Sequence, residues 1–289
     1  MNGNRCNCQA GYWYNASMNR TRRLELAQET LTILDTGRYR APSGRTVSVT
    51  NALQAAVTGT KLYQPDSFPA QTVSPALFAE THVEVTGETT LEAAERLAGF
   101  RPLCLNFASA KNPGGGFLSG SQAQEESLAR SSGLYATLLP MTEMYEYNRQ
   151  LGTSLYSDFM IYSPSVPVFR RDDGTLLEVP SLASFITAPA VNAGAVEKNE
   201  PQNVKFIGST MATRLNKLLA VAQTYGHTTL VLGAWGCGVF GNAPSVVAQL
   251  FADALGPNGA FHNRFERIIY AVYDSSAGRE TRAAFARVL

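Results

Sequence analysis

The chain has 289 residues, 45% hydrophobic and 16% charged, a balance that suits one elaborated α/β unit with a sizeable core and excludes a disordered or fibrous chain. With 24 Lys and Arg against 23 Asp and Glu the formal charge is +1, which gives no general drive toward nucleic acid or an anionic membrane, so a polyanionic ligand has to be met locally. No apolar run approaches membrane-spanning length, and residues 1–15 lack the apolar stretch of a signal peptide, which makes the cytoplasm the expected location.

The first cysteines, Cys6 and Cys8, form a lone C-x-C without the second ligand pair of a structural zinc site, and they read as reduced surface thiols. Asn15-Ala-Ser17 matches a glycosylation sequon but stays unmodified without secretion. Leu24, Ala27, Leu31 and Leu34 then recur at helical spacing and predict a helix from Ser17 to Gly37, where the glycine ends it. A short strand at Arg45–Val49, a short helix at Asn51–Val57 and a Pro- and Ser-rich loop from Thr58 to Ala79 follow.

Beyond the loop the pattern alternates. Strands are expected at His82–Thr86, Pro102–Ala108, Phe159–Ser163, Ser184–Ala188, Thr229–Gly233 and Arg267–Tyr273, several of them continuous apolar runs suited to burial on both faces. Helices are expected at Thr89–Ala98, Gln124–Leu139, Ser209–Tyr225, Pro244–Leu255 and Arg279–Leu289. The implied architecture is a three-layer α/β/α unit with a mixed sheet at residues 81–289, carrying residues 1–80 as an N-terminal helical extension packed on it.

The densest chemical signal is Asn112-Pro-Gly-Gly-Gly116, separated by seven residues from Gln124-Glu125-Glu126, which opens a helix. Successive glycines let backbone N–H groups approach a phosphate without Cβ obstruction, and a helix start adds to the attraction for an anion. Neither the P-loop nor the G-x-G-x-x-G pattern is met, which disfavours nucleotide kinases and Rossmann dehydrogenases. A second glycine-rich loop, Gly233 to Asn242 (GAWGCGVFGN), again follows an apolar strand and precedes a helix. Two such loops at one sheet edge form a crevice for a single diphosphate-containing ligand.

GGG followed at this interval by QEE is similar to the signature of poly(ADP-ribose) glycohydrolases, and GAWGCGVFGN resembles that family's diphosphate-binding loop. The resemblance is to the shorter bacterial branch and implies a macrodomain-like fold. It implies that Gly114, Gly115 and Gly116 with Gly238, Val239, Phe240, Gly241 and Asn242 embrace the diphosphate and distal ribose, with Phe240 against that ribose. Gln124 belongs to the same ADP-ribose-binding set. Asn106 is a further ribose contact or a capped strand end, and Tyr273 lies near adenine or in the core.

Glycosidases commonly flank the bond with two carboxylates, but adjacent helical residues point about 100° apart, so Glu125 and Glu126 do not straddle one ring. One carboxylate then serves both halves of the reaction. Glu126 is expected to donate a proton to the departing ribose oxygen and then accept one from water, with its pKa raised by burial. Glu125 holds a ribose hydroxyl or the loop. No metal or cofactor is expected, since His82, His227 and His262 have no ligand spacing. The expected substrate is poly(ADP-ribose) or an ADP-ribosylated macromolecule, and the product ADP-ribose. Two alternatives are a hydrolase of ADP-ribose on DNA, on protein or as O-acetyl-ADP-ribose, and a non-catalytic ADP-ribose reader.

Overall fold

The computed structural model describes residues 18–69 and 75–289. Cys6, Cys8 and Asn15–Ser17 lie outside the described residues. The first helix, α1, runs Arg20–Thr36: the Asn19 side chain accepts from the Arg22 N–H at 2.8 Å, and Gly37, at φ 66°, closes the other end by donating to the Ile33 carbonyl. A small hairpin of β1 (Arg38–Arg40) and β2 (Thr46–Ser48) precedes α2 (Thr50–Gly59) and β3 (Lys61–Tyr63).

The chain continues through β4 (His82–Thr86), α3 (Thr90–Arg96), β5 (Leu103–Phe107), α4 (Gln124–Ser131), α5 (Leu134–Leu138), α6 (Thr142–Gln150), β6 (Met160–Arg170) and β7 (Leu176–Ala188). It closes with α7 (Ala193–Asn199), α8 (Ile207–Thr224), β8 (Thr229–Leu232), α9 (Pro244–Leu255), β9 (Arg267–Ala271) and α10 (Glu280–Val288). The main sheet has the order β3-β6-β7-β5-β8-β9-β4; β7, β5, β8, β9 and β4 run parallel, and β6 is antiparallel to both its neighbours.

Strand residues alternate strictly between two cores. Leu103 and Leu105, Leu230 and Leu232, Ile268 and Tyr270 join α8, α9 and α10, whereas Cys104, Val231 and Ile269 join α3, α4, α5 and α6. Burial on both faces is the reason these strands read as continuous apolar runs.

Four expectations change. The loop expected at Thr58–Ala79 contains β3, which pairs with β6, so the N-terminal segment supplies an edge strand of the main sheet as well as packing on it. The helix expected from Gln124 to Leu139 breaks after Ser131: Ser132 bridges Val168, and the Gly133 N–H donates to the Pro167 carbonyl at 2.9 Å. A Cβ at Gly133 would sit 2.7 Å from Leu53, so the close pass of β6 and α2 interrupts the helix. The last strand stops at Ala271, two residues before Tyr273. The strands expected at Phe159–Ser163 and Ser184–Ala188 are the core ends of one long bulged hairpin whose outer part reaches α1.

The junction is Arg170, whose side chain is 1% exposed. Its guanidinium donates to the Thr30 hydroxyl at 2.5 Å, to the Arg130 carbonyl and to Glu29 at 2.7 Å, while Thr30 also donates to the Arg130 carbonyl at 2.5 Å. Helix α1, the hairpin and the end of α4 are thus held at one point. Arg170→Met keeps the apolar stem but removes these donors; urea unfolding is expected to show about 1–3 kcal/mol lost, the usual cost of unpairing buried polar groups. An unchanged midpoint would show that the junction is not what joins these elements.

Candidate active site

Strands β5 and β8 are parallel neighbours, so both glycine loops leave the same carboxyl edge of the sheet. Their roots touch: a Cβ on Gly233 would lie 3.1 Å from the Phe107 ring. In the first loop, Gly114 and Gly115 have φ of 69° and 60°, a region that favours glycine. The limit at Gly115 is also steric, since a Cβ there would lie 2.4 Å from Glu126 Oε1 and 3.1 Å from Glu125 Oε2. Although successive helical residues diverge, both carboxyl groups reach the same glycine.

The two acids differ in surroundings. Glu125 is 3% exposed; its Oε2 accepts the Ser109 N–H at 2.6 Å and its Oε1 the Asn106 amide at 3.2 Å. Burial outweighs those bonds and pushes its pKa up to about 8, with the nearby Glu126 adding in the same direction. Glu126 is half-buried and accepts the Gly116 N–H at 2.9 Å on Oε1; Oε2 takes no hydrogen bond among the described residues. The raised acid is therefore Glu125, behind the loop, and the accessible one is Glu126. Both oxygens of Glu125 are bonded to the protein, at Ser109 and Asn106.

Asn106 is wholly buried and donates to Glu125 and to Thr187 at 3.1 Å, so it faces the buried acid rather than a ribose. Gln124 is also committed internally. Its carbonyl accepts the Phe107 N–H at 2.9 Å, and its amide donates to the Leu105 carbonyl at 2.7 Å and to Thr90 at 3.0 Å. It pins the start of α4 to the end of β5.

In the second loop Gly236 and Gly241 have positive φ, and buried Asn242 donates to the Val191 carbonyl at 2.7 Å and the Gly236 carbonyl at 3.0 Å, which fixes the loop's shape. Gly238 is open, Val239 is 94% exposed, and half-buried Phe240 packs against the core while its carbonyl accepts the Gly194 N–H at 3.0 Å. The loop thus holds its polar side chain inward, and its Cys237, Gly241 and Asn242 N–H groups donate within it to the Ala234, Gly238 and Gly236 carbonyls.

Beside the crevice lies a cavity of about 530 Å³ at the ends of β5, β8 and β9, lined among others by Thr89, Phe107, Gln124, Asp172, Ala234 and Tyr273. Tyr273 is 60% exposed and lines this cavity, which removes the core alternative. Asp172 was not legible as a site residue: it sits in the β6–β7 turn and enters the cavity because the hairpin folds back, where it accepts from Thr89 at 2.6 Å. Its signal in the sequence is only Asp-Asp-Gly turn chemistry. His82 pairs with Glu84 at the surface and His227 with the Tyr162 hydroxyl, both away from the crevice. Among the described residues no three His, Cys, Asp or Glu side chains converge as metal ligands, and no helix is long and apolar enough to cross a membrane.

Two glycine-rich loops at one sheet edge, an accessible carboxylate beside the first and a flanking cavity define a macrodomain-like α/β protein with the parts of a hydrolase. The comparisons with known proteins agree. The family described as "Microbial-type PARG, catalytic domain" matches residues 27–171, which include the first loop and both acids. The chain is 48% identical to the poly(ADP-ribose) glycohydrolase of Thermomonospora curvata, whose structure superposes with a TM-score of 0.88 over 93% of this chain and 100% of that one. The same bacterial enzyme bound to the inhibitor ADP-HPD gives 49% identity, the same coverage and a TM-score of 0.86. The Deinococcus radiodurans enzyme in complex with ADP-ribose gives 46%, 0.78, and 82% and 96% of the two chains. No curated protein matches. The chain belongs to the microbial-type poly(ADP-ribose) glycohydrolase family and is a glycohydrolase of that kind.

The raised pKa of Glu125 has a signed consequence. The folded state keeps a proton that the unfolded chain, with an ordinary value of 4.5, releases. The stability this proton gives is complete below about 4.5 and is lost as pH rises toward about 8. Wild-type stability is therefore expected to fall across that window, on the order of a few kcal/mol, whereas Glu125→Gln flattens the profile. Parallel urea-unfolding curves for the two proteins would refute this if their slopes agreed.

Proposed function

We propose that this enzyme hydrolyses the O-glycosidic ribose–ribose bond of poly(ADP-ribose) and releases ADP-ribose, with Glu126 as its acid and base. The observation that carries the reading is the contrast between the two acids: Glu126 Oε1 is fixed by the Gly116 N–H with Oε2 free, while Glu125 is sealed behind the loop. A group must reach the reacting atoms to transfer a proton to them.

Along the sheet edge the ligand takes a single direction. The nucleoside lies in the cavity with its base on Tyr273, the diphosphate spans the two glycine loops, and the distal ribose sits between Glu126 and Phe240. Glu126 gives its proton to the departing ribose oxygen as the bond to the anomeric carbon breaks; it then takes a proton from the water whose oxygen bonds to that carbon. Glu125, neutral at pH 7 with a pKa of about 8, places no like charge beside Glu126 and holds Ser109 and the loop. Substrates are poly(ADP-ribose) or ADP-ribosylated macromolecules, and the working location is the cytoplasm.

Glu126→Gln is expected to keep ADP-ribose affinity within a few-fold by calorimetry while polymer hydrolysis falls at least roughly 10²-fold; near-normal turnover would move the chemistry elsewhere. Gly115→Ala brings a Cβ onto the Glu126 carboxyl at a strained φ and is expected to abolish most activity. Phe240→Ala leaves both cradles in place, so binding persists but turnover drops on the order of 10²-fold through lost positioning. Wild-type rates from Phe240→Ala would make that ring a packing residue only. Activity is also expected to survive EDTA, and loss restored by magnesium would contradict an acid–base mechanism carried by Glu126 alone.

A further inference from the structure

The net charge near neutrality means that each cation facing a polyanion counts. Beyond the distal-ribose end of the crevice one such cation stands out. Lys111 is exposed, pairs with no carboxylate among the described residues, and is held by a turn in which the Ser109 hydroxyl accepts from the N–H groups of Lys111 and Asn112. Ser109 is the residue that grips Glu125, so the lysine stands at the lip of the loop that carries the chemistry. Its ammonium lies 6.0 Å from the Tyr156 ring centroid, and Tyr156 lies 6.0 Å from the Phe240 ring. Exposed Arg149 donates to the Lys111 carbonyl at 2.5 Å.

Tyr156 is not there by default. It is a non-glycine residue at φ 57°, a conformation that costs free energy and persists only where its surroundings impose it. The surroundings do so from below. Arg214, with a side chain 0% exposed, donates to the carbonyls of Leu155, Tyr156 and Pro189 at 3.1, 3.3 and 2.8 Å and pairs with Asp158 at 3.0 Å. On the other flank Glu200 accepts from the Thr153 hydroxyl and the Ser154 N–H, and the Asn192 N–H donates to the Ser154 carbonyl at 3.0 Å. A buried arginine spent on three carbonyls and a strained backbone serve to present one half-buried aromatic ring beside Phe240 and under Lys111.

The group that departs in ribose–ribose cleavage is itself an adenosine carrying a diphosphate. It leaves from the side of the distal ribose opposite the nucleoside cavity. We propose that Tyr156 and Lys111, with Arg149 behind them, form a leaving-side subsite in which the ring stacks on the adenine of the penultimate unit and the ammonium meets its diphosphate. This rests on the polymer reading above. It makes the enzyme discriminate between a polymer end and a single ADP-ribose on another carrier.

The test compares an ADP-ribose dimer with an ADP-ribose bearing only a small aryl group at the anomeric oxygen. For Lys111→Ala, kcat/KM on the dimer is expected to fall about tenfold more than on the aryl substrate, and the gap to narrow at high salt. Tyr156→Leu is expected to widen the gap to roughly 10- to 30-fold, in line with a lost base–aromatic stack. Tyr156→Phe is expected to restore it, and thermal midpoints report that each variant is folded. Equal losses on both substrates would place these residues on the terminal unit and overturn the subsite, as would no loss on either. A wild-type enzyme inert on both substrates would overturn the polymer reading itself.

Discussion

Everything at the catalytic edge depends on the missing side chain at Gly115. Because that backbone carries no Cβ, two carboxyl groups from consecutive positions of α4 reach the same point, and the next N–H, from Gly116, turns onto Glu126. The positive φ at Gly114 and Gly115 shapes a tight loop whose amides turn inward: the Gly115 N–H donates to the Asn112 carbonyl at 3.1 Å and the Gly116 N–H to Glu126 at 2.9 Å. The glycines therefore let the backbone pass close to both acids, near enough for the Gly116 N–H to hold Glu126.

A loop of this kind has little intrinsic rigidity, and the structure supplies it from outside. Arg20 and Arg23 of α1 donate to the carbonyls of Ser119 and Gly120 at 3.0 and 2.7 Å. Arg130 donates to the Ser121 carbonyl at 2.8 Å and to Gln122 at 2.6 Å. Through Arg170 the same helix α1 is fixed to the β6–β7 hairpin. The N-terminal helix is thus part of the active-site frame. Positioning of the acid to within a fraction of an ångström, which proton transfer requires, rests on bonds made some 100 residues away in sequence.

Burial divides the labour of the acid pair. Glu125 gains hydrogen bonds from Ser109 and Asn106 but loses solvent, and desolvation wins. Its neutral form can fill the space behind the loop without setting a second negative charge beside Glu126. Glu126, one residue on, keeps one oxygen without a hydrogen bond among the described residues. The same sequence motif yields a buried acid and an accessible one because the helix turns one side chain into the sheet and the other toward the crevice.

Much of this was legible in the chain. Apolar runs located the central parallel strands β5, β8 and β9 because burial on both faces leaves no polar alternation to read, and the edge strand β4 and helix α9 also fall at the expected residues. The GGG and QEE groups announced a glycine loop beside a helix-start carboxylate, since glycine content and helix-start acids are local properties. Local patterns could not assign partners. That Gln124, Asn106 and Asn242 spend their amides on the protein, that Glu125 and not Glu126 is the sealed acid, and that Asp172, Lys111 and Tyr156 arrive at the crevice all depend on which segments pack together. The sequence by itself determined the chemistry available and the strands that would carry it; the tertiary structure decided which groups meet solvent, because desolvation and hydrogen-bond satisfaction are settled by neighbours distant along the chain.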